Sequence, residues 1–422
     1  MNIKIGAGRL HGTVQMISSK SDVHRLLLAA ALADGPTEIL LNGTSEDIEA
    51  TMLCLKALGS RVEKTEGGLR VVPIPPFQSS VAVLDCGESG STLRFLLPVA
   101  GALGRNALFE GRGRLPQRPI GVLTGQMERH GCRFNGEHLP LEISGHLTGG
   151  VYELPGNISS QFITGLLFAL PILEEDSEIR LTTAVESQGY IQMTLHTLSR
   201  FGIAVEATEQ GYFIKGGQKY HSPGVIQAAG DWSNAAFWLT AGAVGSEVTC
   251  RGLQMDSPQG DKAILPLLER FGAQITVDGD SVTAKGGKLK GCKIDATQIP
   301  DLVPILSVAA AMAEGDTYIF NAGRLRIKES DRLRAITDCL RRLGVDVEEE
   351  EEALLIHGGA KEPSYQEIHM DSYGDHRIVM SAAVAGAVMG QPLLIEGAEA
   401  VGKSYPGFFA EFIRLGGGAD VL

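Results

Sequence analysis

The sequence contains no apolar run that could cross a membrane. A membrane-spanning helix needs about 20 consecutive apolar residues, and no segment of the 422 residues supplies them. Residues 1–10 also lack the long apolar stretch of a signal peptide. We therefore expect a protein that has no membrane contact and works in the cytoplasm.

Cysteine is scarce and scattered. The six cysteines form no CxxC pair and lie at positions 54, 86, 132, 250, 292 and 339. Zinc sites and disulfide frameworks need closely spaced or paired cysteines, whereas scattered cysteines are typical of reduced, buried thiols. We expect no metal.

An excess of positive charge is also absent. The chain has 37 Lys and Arg against 50 Asp and Glu, a net charge of −13. Nucleic-acid-binding proteins usually carry a basic patch and a positive balance, so the charge argues against nucleic acid as a partner. Any local cluster of cations therefore needs a local explanation.

A repeated junction is the main feature that the sequence does contain. In each copy a helix ends at a Gly, and a large apolar residue follows after two intervening residues, as in LGVDV at 343–347. Five copies are spaced by 70 to 72 residues, with glycines at positions 59, 131, 202, 272 and 344. A sixth copy, at 414–416, is cut off by the chain end. Solenoid and propeller repeats are usually 20 to 50 residues long, so each copy must be a small folding unit.

The fifth copy shows what such a unit contains. Leu333, Ile336, Leu340 and Leu343 have the spacing of an amphipathic helix. Gly344 ends that helix, because the position after a helix usually needs a positive φ. The segment 345–356 then has the alternation of a β-hairpin.

A second helix precedes each junction, and it is apolar on all sides. These segments are 26–32, 95–103, 163–170, 235–244, 302–312 and 378–388. Helices of this kind are buried, so each unit is predicted to be βαβαββ. The sixth unit lacks its final strands, and 1–14 can supply them.

Six units and 422 residues favour two domains with three units each. We expect a first domain at 18–228 and a second domain formed by 1–17 plus 229–422. The chain would cross between them twice, which places a hinge near 15–20 and 226–232.

Polar and charged residues occupy the starts of the buried helices. These starts are 18–25, 87–94, 156–162, 230–235, 298–301 and 373–377. They place Lys20, Arg25, Arg94 and Arg377 near helix N-termini, where the dipole disfavours a cation by about 0.3–1 kcal/mol. Lys328 and Arg332, four residues apart at the start of an outer helix, would repel each other. One such cation is usually solvated or paired with a nearby carboxylate. Six such starts in one chain favour bound anions instead, which free backbone N–H groups also attract.

Nine segments follow one another along nearly the whole chain, namely SKSDVHRLLLAAALADG, GESGSTLRFLLP, RLPQRPIG, SSQFITGLL, SQGYIQMTL, IPDLVPILSVAAA, RIKESDRL, GDHRIVMSAAVAG and VGKSYPGFF. Together they resemble the 5-enolpyruvylshikimate-3-phosphate (EPSP) synthase family. The resemblance implies an α/β fold, a two-domain inverse α/β barrel with three βαβαββ units per domain. It also implies transfer of the enolpyruvyl group of phosphoenolpyruvate to the 5-hydroxyl of shikimate 3-phosphate, without metal or organic cofactor. Glyphosate is the family's inhibitor, and a monomer is expected.

The resemblance also implies two groups of binding residues. The shikimate 3-phosphate contacts would be Lys20, Ser21, Arg25, Ser159, Ser160, Gln161, Ser187, Tyr190, Asp301 and Lys328. The phosphoenolpyruvate contacts would be Lys20, Gly90, Arg118, Gln161, Arg332, Arg377 and Lys403.

The reaction needs an addition and an elimination, and therefore proton transfers. We expect Asp301 to accept the proton of the 5-hydroxyl and Glu329 to transfer a proton at the methylene carbon. Lys20 is the third catalytic candidate, either as a donor to the departing phosphate or as a second group in the proton transfers.

The chain departs from the family pattern at three positions. Glu88 and Arg324 stand where Asn is common, and Phe95 stands where Pro is common. A carboxylate at 88 would repel phosphoenolpyruvate unless it is paired, so substrate affinity and inhibitor sensitivity are in doubt.

Two alternatives stay open from the sequence. The related enolpyruvyl transferase acting on UDP-N-acetylglucosamine has the same fold but carries a reactive Cys in the loop that aligns with 112–119. This chain has no cysteine between Cys86 and Cys132. A non-catalytic anion-binding repeat protein would keep the six units but need no carboxylates among the cations.

Overall fold

The computed structural model of the protein describes residues 1–76, 81–359 and 366–422. The chain forms two compact units, the first unit Lys20–Ala228 and the second unit Met1–Ser19 with Ala229–Leu422. Each unit has its own hydrophobic core. The hinge near 15–20 and 226–232 stays a prediction.

Strands and helices alternate along both units. The strands are β1 (Asn2–Gly6), β2 (Gly12–Gln15), β3 (Thr37–Leu40), β4 (Arg61–Thr65), β5 (Gly68–Val72), β6 (Ala82–Asp85), β7 (Ala107–Glu110), β8 (Cys132–Asn135), β9 (Leu141–Gly145), β10 (Gly150–Leu154), β11 (Ser177–Leu181), β12 (Glu206–Thr208), β13 (Gly211–Ile214), β14 (Val225–Gln227), β15 (Glu247–Arg251), β16 (Gln274–Asp278), β17 (Ser281–Lys285), β18 (Lys293–Asp295), β19 (Gly315–Phe320), β20 (Asp346–Glu349), β21 (Leu354–Gly358), β22 (Ile368–Asp371), β23 (Leu393–Glu396) and β24 (Gly418–Val421). The α-helices are α1 (Lys20–Leu32), α2 (Glu46–Ala57), α3 (Gly90–Ala102), α4 (Gly121–Arg129), α5 (Ser160–Ala169), α6 (Gln188–Arg200), α7 (Trp232–Gly245), α8 (Ile264–Phe271), α9 (Val303–Met312), α10 (Arg332–Arg342), α11 (His376–Met389) and α12 (Phe408–Arg414).

The described residues form six four-stranded sheets, one for each predicted unit. The sheet β10-β11-β13-β12 shows the common plan. Its first two strands are parallel and are connected through α5, and the last two form an antiparallel hairpin after α6. The predicted βαβαββ plan is therefore confirmed.

In two sheets, the first strand is not the strand that directly precedes that sheet's buried helix in the sequence. β2 precedes α1 along the chain but pairs in parallel with β15 of the second unit. β14 precedes α7 but pairs in parallel with β3 of the first unit. Each exchange keeps a four-stranded sheet within one unit, so the two chain crossings fall directly after β2 and β14.

The expectation for the sixth unit was partly wrong. The chain end is not missing both final strands, because β24 is present. β1 lies between β23 and β24 and is antiparallel to both. The N-terminal segment therefore supplies β1 to the sheet of the sixth unit. The second strand of this segment, β2, belongs to the sheet of the fourth unit.

The inner helix of each unit is buried because it is apolar on all sides, as the sequence suggested. α7 carries Trp232, Phe237 and Trp238, all fully buried, because an apolar side chain on every face can only be covered by a core on every side. The outer helix α10 instead buries one stripe, which includes Leu333, Ile336 and Leu340. It ends before Gly344, whose φ of 80° is the left-handed conformation that glycine adopts easily.

Two predictions about what the chain lacks can be compared with this architecture. Among the described residues, no helix combines the length and the apolar character that crossing a membrane requires. The six cysteines are free thiols, five of them buried.

Candidate active site

The polar candidates lie where the buried helices begin. In the first unit α1 begins at Lys20, α3 begins at Gly90, and α5 begins at Ser160. Ser89 and Ser159 cap α3 and α5, since their hydroxyls accept hydrogen bonds from the N–H groups of Thr92 and Gln161. The remaining N–H groups of a first turn are available to an anion.

Arg25 brings several predicted residues of the first unit together. Its Nη1 donates to the carbonyl of Ser21 at 2.6 Å, and its Nη2 donates to the carbonyl of Tyr190 at 2.8 Å. Its Nε donates to the Thr194 hydroxyl at 2.9 Å. Burial lowers the pKa of Arg25 to about 10. The guanidinium stays charged at neutral pH and can hold a phosphate.

Lys20, at the start of α1, already has an acidic partner. Its Nζ donates to Oδ2 of Asp47 on α2 at 2.8 Å. Both side chains are largely buried, so the pair is worth more than a surface ion pair. An anionic substrate would compete with Asp47 for this ammonium.

Ser187 lies directly before α6 in a conformation that serine rarely adopts. Its φ is 55°, in the left-handed region. Such strain costs about 1–3 kcal/mol and is concentrated at functional sites. Tyr190, three residues later, is held by Arg25, so the start of α6 lies beside the start of α1.

Arg94 and Arg118 form a second cationic group in the first unit. Arg94 donates from Nη1 to Oε1 of Gln161 at 2.6 Å and from Nη2 to the carbonyl of Pro119 at 3.1 Å. The Arg118 guanidinium lies against Gly90, since a Cβ added there would be 2.6 Å from its Nη1. Burial, and then the charge of Arg118, hold the pKa of Arg94 well below its usual range. Two guanidiniums that lower each other's stability in the charged form favour a shared anion.

In the second unit, Asp301 is the centre of a cluster of cations. Its Oδ1 accepts from Nη1 of Arg332 at 2.8 Å and lies 3.5 Å from Nζ of Lys328. Its Oδ2 accepts from Nη2 of Arg377 at 3.2 Å. Asp301 is in a short 3₁₀ helix, Pro300–Leu302, directly before α9. Three predicted cations therefore share one predicted base.

Asp375 holds Arg332 from the other side. Its Oδ2 accepts from Nε of Arg332 at 2.7 Å and its Oδ1 accepts from Nη2 at 3.2 Å, a bidentate pair. The same carboxylate caps α11 by accepting from the N–H of Arg377. Burial would raise the pKa of Asp375, but the charge of Arg332 holds it below its usual value. Burial would likewise lower the pKa of Arg332, and the carboxylates of Asp375, Asp301 and Glu329 raise it instead.

Glu329 is hydrogen-bonded to a residue that the sequence did not single out. Its Oε2 is 2.8 Å from Nδ1 of His376, the first residue of α11. One ligand atom each from Glu329, Asp375 and His376 lie within 4.8 Å of one another, a spacing that a metal could use. Because Arg332 already forms two hydrogen bonds with Asp375, a metal cation would have to displace a guanidinium. The three residues are better described as an ion-pair network.

Two more residues complete the second cluster. Nζ of Lys403 donates to the carbonyl of Gly374 at 2.6 Å, beside the start of α11. Nη2 of Arg377 also donates to the Ser233 hydroxyl at 3.2 Å, and Ser233 donates to Asp261. Arg377 is thus linked to two carboxylates, directly to the partly buried Asp301 and through Ser233 to the buried Asp261.

One predicted arrangement was wrong. Lys328 and Arg332 are not one turn apart on a helix, because α10 begins only at Arg332 and Lys328 follows a short 3₁₀ helix, Gly323–Ile327. Both cations contact Asp301. Asp331 caps α10, which explains why the helix cannot begin earlier.

The predicted site residues therefore fall into two groups, one in each unit. Lys20, Ser21, Arg25, Gly90, Arg118, Ser159, Ser160, Gln161, Ser187 and Tyr190 belong to the first unit, and Asp301, Lys328, Glu329, Arg332, Arg377 and Lys403 belong to the second. The partners that orient them were missed. These are Asp47, Thr194, Asp375 and His376. Arg94 was noted as a cation at a helix start but was not assigned to the site. The run Asp375-His376-Arg377 at a helix start was the one sequence signal that could have indicated two of them.

Comparisons with known proteins define the class first. The structure of EPSP synthase from Acinetobacter baumannii matches with a TM-score of 0.82 at 25% identity, over 100% of both chains. The enolpyruvyl transferase NikO from Streptomyces tendae matches with a TM-score of 0.81 at 17% identity, over 99% of this chain and 98% of that chain. The fold is that of the enolpyruvyl transferases, as the sequence predicted.

The sequence comparisons identify the family within that class. The model of the EPSP synthase (3-phosphoshikimate 1-carboxyvinyltransferase) family matches residues 5–412. The 3-phosphoshikimate 1-carboxyvinyltransferase of Clostridium kluyveri is 42% identical over 421 residues, which cover 99% of this chain and 98% of the relative. That of Clostridium acetobutylicum is 42% identical over 422 residues, with 98% and 97% covered. The chain belongs to the EPSP synthase family.

Proposed function

We propose that the protein transfers the enolpyruvyl group of phosphoenolpyruvate to the 5-hydroxyl of shikimate 3-phosphate. The products are 5-enolpyruvylshikimate 3-phosphate and phosphate, and the reaction belongs to the shikimate pathway of aromatic amino acid biosynthesis. The observation that carries this proposal is the second cluster, in which Asp301 and Glu329 lie among the cations Lys328, Arg332 and Arg377. Cations alone would bind the anionic substrates, and the carboxylates add the means to move protons.

The charges of the substrates match the cations of the two clusters. Two phosphates and two carboxylates bring about five to six negative charges at pH 7. Seven cations are available to them, namely Lys20, Arg25, Arg118, Lys328, Arg332, Arg377 and Lys403. Charge-assisted hydrogen bonds from guanidinium groups are the strong kind that phosphate and carboxylate recognition needs.

Shikimate 3-phosphate is assigned mainly to the residues around Arg25 in the first unit. Its phosphate and hydroxyls would be held by residues near the starts of α1, α5 and α6 and by Lys328. These residues are Ser21, Arg25, Ser159, Ser160, Gln161, Ser187, Tyr190 and Lys328. The hydrogen bonds from Arg25 to Ser21 and Tyr190 support this grouping. Lys20 and Asp301 would be shared between the two substrates.

Phosphoenolpyruvate is assigned to the start of α3 and to the second cluster. Gly90 and Arg118 would hold it in the first unit, and Arg332, Arg377 and Lys403 in the second. The contact between Arg118 and Gly90, and the hydrogen bond between Arg94 and Gln161, support this assignment. The Glu88 carboxylate lies against Gly113, in the segment that also carries Arg118.

The proton transfers are divided among three residues. Asp301 would accept the proton of the 5-hydroxyl while the oxygen of that hydroxyl forms a bond to C2 of phosphoenolpyruvate. Glu329 would deliver a proton to C3. In the elimination the C–O bond to phosphate breaks, and Glu329 takes a proton back from C3. Lys20 would donate to the leaving phosphate.

The test is a titration that separates this reaction from its alternatives. Shikimate 3-phosphate is titrated with and without phosphoenolpyruvate while phosphate release is measured. We expect release only when both are present, and none when UDP-N-acetylglucosamine replaces shikimate 3-phosphate. Release with the nucleotide sugar would indicate the related transferase, and binding without any release would indicate a non-catalytic protein.

The proposed substrate-binding Lys and Arg side chains come from both units, which supports a further proposal of domain closure. Bound substrates would then draw the units together, as lids and domains do in many enzymes. Small-angle scattering should show a smaller radius of gyration with shikimate 3-phosphate and a second anion. An unchanged profile at saturation would contradict closure.

We also propose that the enzyme acts in the cytoplasm, is a monomer and is inhibited by glyphosate at the phosphoenolpyruvate site. Sedimentation at several protein concentrations tests the oligomeric state. Competition between glyphosate and phosphoenolpyruvate in the phosphate-release assay tests the site of inhibition.

A further inference from the structure

A continuous chain of buried hydrogen bonds connects α1 with the start of α3. Nδ1 of His24 on α1 is 2.7 Å from Oγ1 of Thr51 on α2, which is 2.7 Å from Oγ1 of Thr92 on α3. Thr92 in turn donates from Oγ1 to the hydroxyl of Ser89 at 2.8 Å. The four side chains have no solvent exposure. We call this chain the relay.

The relay has a defined direction of donation. Thr92 gives its one hydroxyl hydrogen to Ser89, so it must accept from Thr51. Thr51 then gives its hydrogen to Thr92 and must accept from His24. His24 is therefore the Nδ1–H tautomer, with the lone pair on Nε2. In the described part of the chain Nε2 has no hydrogen-bond partner, which suits a lone pair better than a buried N–H group.

The charge state of His24 agrees with this direction. Burial, and then the positive charges of Lys20 and Arg25, hold the pKa of His24 well below its usual range. The ring is thus neutral at pH 7 and has a single N–H to donate. That N–H is directed to Thr51.

The relay begins beside the proposed shikimate 3-phosphate residues. Lys20 and His24 are four residues apart on α1, and their partners Asp47 and Thr51 are four residues apart on α2. The two helices are thus connected by two parallel contacts. His24 also packs edge-on against Phe95 of α3, with ring centroids 6.4 Å apart.

The relay ends at the proposed phosphoenolpyruvate residues. Ser89 caps α3 by accepting from the N–H of Thr92, so its hydroxyl accepts from Thr92 twice. Gly90, the next residue, packs against the Arg118 guanidinium. Any rotation of the Ser89 or Thr92 side chain would change the first turn of α3, and with it the backbone that would face phosphoenolpyruvate at the proposed site.

We propose that His24 is a positioning residue for phosphoenolpyruvate, acting through Thr51, Thr92 and Ser89 on the first turn of α3. This inference rests on the proposed assignment of Gly90 and Arg118 to phosphoenolpyruvate. The sequence position of His24 would not suggest this role, because the next residue, Arg25, is assigned to shikimate 3-phosphate. The relay residues are fully buried, so none of them needs to touch a substrate.

Thr51→Val gives the sharpest test, because it keeps the shape of the side chain and removes the middle hydroxyl of the relay. A lost buried hydrogen bond corresponds to about a five- to twentyfold change in an equilibrium constant. We expect the KM for phosphoenolpyruvate to rise by about that factor. The kcat and the KM for shikimate 3-phosphate should stay within about twofold. Thr51→Ser, which retains the hydroxyl, should restore the parent value.

Two further variants exclude a general effect on folding. Thr240→Val in α7 removes a buried hydroxyl that has no hydrogen-bond partner within the described residues, and it should leave both KM values unchanged. His24→Leu removes the first donor and should reproduce the Thr51→Val pattern. It is also the replacement test if Thr51→Val does not fold. Equal rises in both KM values, or no rise in either relay variant, would overturn the proposal.

Arg118→Ala separates failure of the relay from failure of the site assignment. If Arg118→Ala raises the KM for phosphoenolpyruvate and Thr51→Val does not, the relay has no positioning role. If Arg118→Ala has no effect, phosphoenolpyruvate does not bind at the start of α3, and the site assignment is wrong. Phosphate release by the parent enzyme reports on the proposed reaction independently of both.

Discussion

Oε2 of Glu329 lies 2.8 Å from Nδ1 of His376. The imidazole is almost fully buried, whereas the Glu329 side chain retains some exposure. Arg332 approaches the other carboxylate oxygen at 3.8 Å. A carboxylate held by an imidazole on one oxygen and a guanidinium near the other is kept in a fixed orientation, as a group that transfers protons at carbon must be.

Glu329→Gln should remove the carboxylate that is proposed to transfer the proton, while keeping the size of the side chain. We expect kcat to fall by about 10²–10⁴, the usual contribution of a general acid or base. Binding of shikimate 3-phosphate, measured by calorimetry, should change little. Near-normal turnover would show that Glu329 has another role.

His376→Asn should have a smaller effect, since it retains a side-chain N–H that can reach Glu329. We expect kcat to fall by about tenfold, as for loss of orientation rather than loss of the reacting group. The measurement is kcat at saturating substrates. A loss as large as that of Glu329→Gln would mean that His376 itself transfers the proton.

Asp301→Asn should reduce both activity and stability. Asp301 is the proposed base, so kcat should fall by about 10²–10⁴. It is also a shared acceptor for Arg332 and Arg377. Removing one partner of a buried ion pair leaves charge uncompensated, so the free energy of unfolding should fall by about 1–3 kcal/mol.

The control for Asp301→Asn is Asp278→Asn, at an exposed position on β16. Denaturant unfolding of both variants should show a loss for Asp301→Asn alone. If the free energy of unfolding is unchanged in Asp301→Asn, the carboxylate does not stabilise the two guanidiniums in solution.

Gly90→Ala tests how closely the start of α3 approaches the proposed phosphoenolpyruvate site. The added methyl would lie 2.6 Å from Nη1 of Arg118, so the guanidinium has to move. Overpacking of this kind costs about 1–3 kcal/mol, or roughly 5- to 150-fold in affinity. Because glyphosate is longer than phosphoenolpyruvate, its inhibition constant should rise more than the KM for phosphoenolpyruvate. The KM should also rise, because Arg118 is displaced.

Gly121→Ala is the matched control, since Gly121 is the first residue of α4 and a Cβ there meets no atom within 4 Å. Both constants should match the parent values in this variant. Equal rises in the inhibition constant and the KM of Gly90→Ala would mean that movement of Arg118, and not crowding of the inhibitor, explains the effect.

The fold could be predicted because its signals are local and repeated. An apolar stripe, a glycine and a hairpin recur with a fixed spacing, and each recurrence supports the others. The exchange of β2 and β14 could not be predicted, because pairing between distant strands leaves no periodic trace in the sequence. β2 and β14 each precede a buried helix, as a first strand does, yet each pairs within its own unit, while the helix that follows it belongs to the other unit.

The site residues could be named because they follow sequence motifs, but their partners could not. Lys20 and Asp47 are 27 residues apart, and Glu329 and His376 are 47 apart. Such pairs are set by which helix starts lie side by side. The same limit explains the error at Lys328, where four-residue spacing suggested a helix that the cap at Asp331 excludes.

Asp261 should make the stability of the second unit depend on pH. Burial, and then the charge of Asp301, raise the pKa of Asp261 from 3.8 to about 6, although Arg377 opposes the shift. Because the folded-state pKa lies above the unfolded value, the folded state keeps this proton longer. The stability that the residue contributes is therefore present below about pH 4 and is lost as the pH rises through about 6.

Asp261→Asn removes that titration and keeps an acceptor for the Ser233 hydroxyl. The stability of the variant relative to the parent should therefore increase between pH 4.5 and pH 7.5, because only the parent loses stability over this range. A difference of two pKa units acting over this range corresponds to about 2 kcal/mol. The measurement is denaturant unfolding of both proteins at several pH values, with Asp278→Asn as the exposed control. If the variant and the parent keep a constant difference across the range, Asp261 titrates near its ordinary value, and the charge of Arg377 offsets the effects of burial and of Asp301.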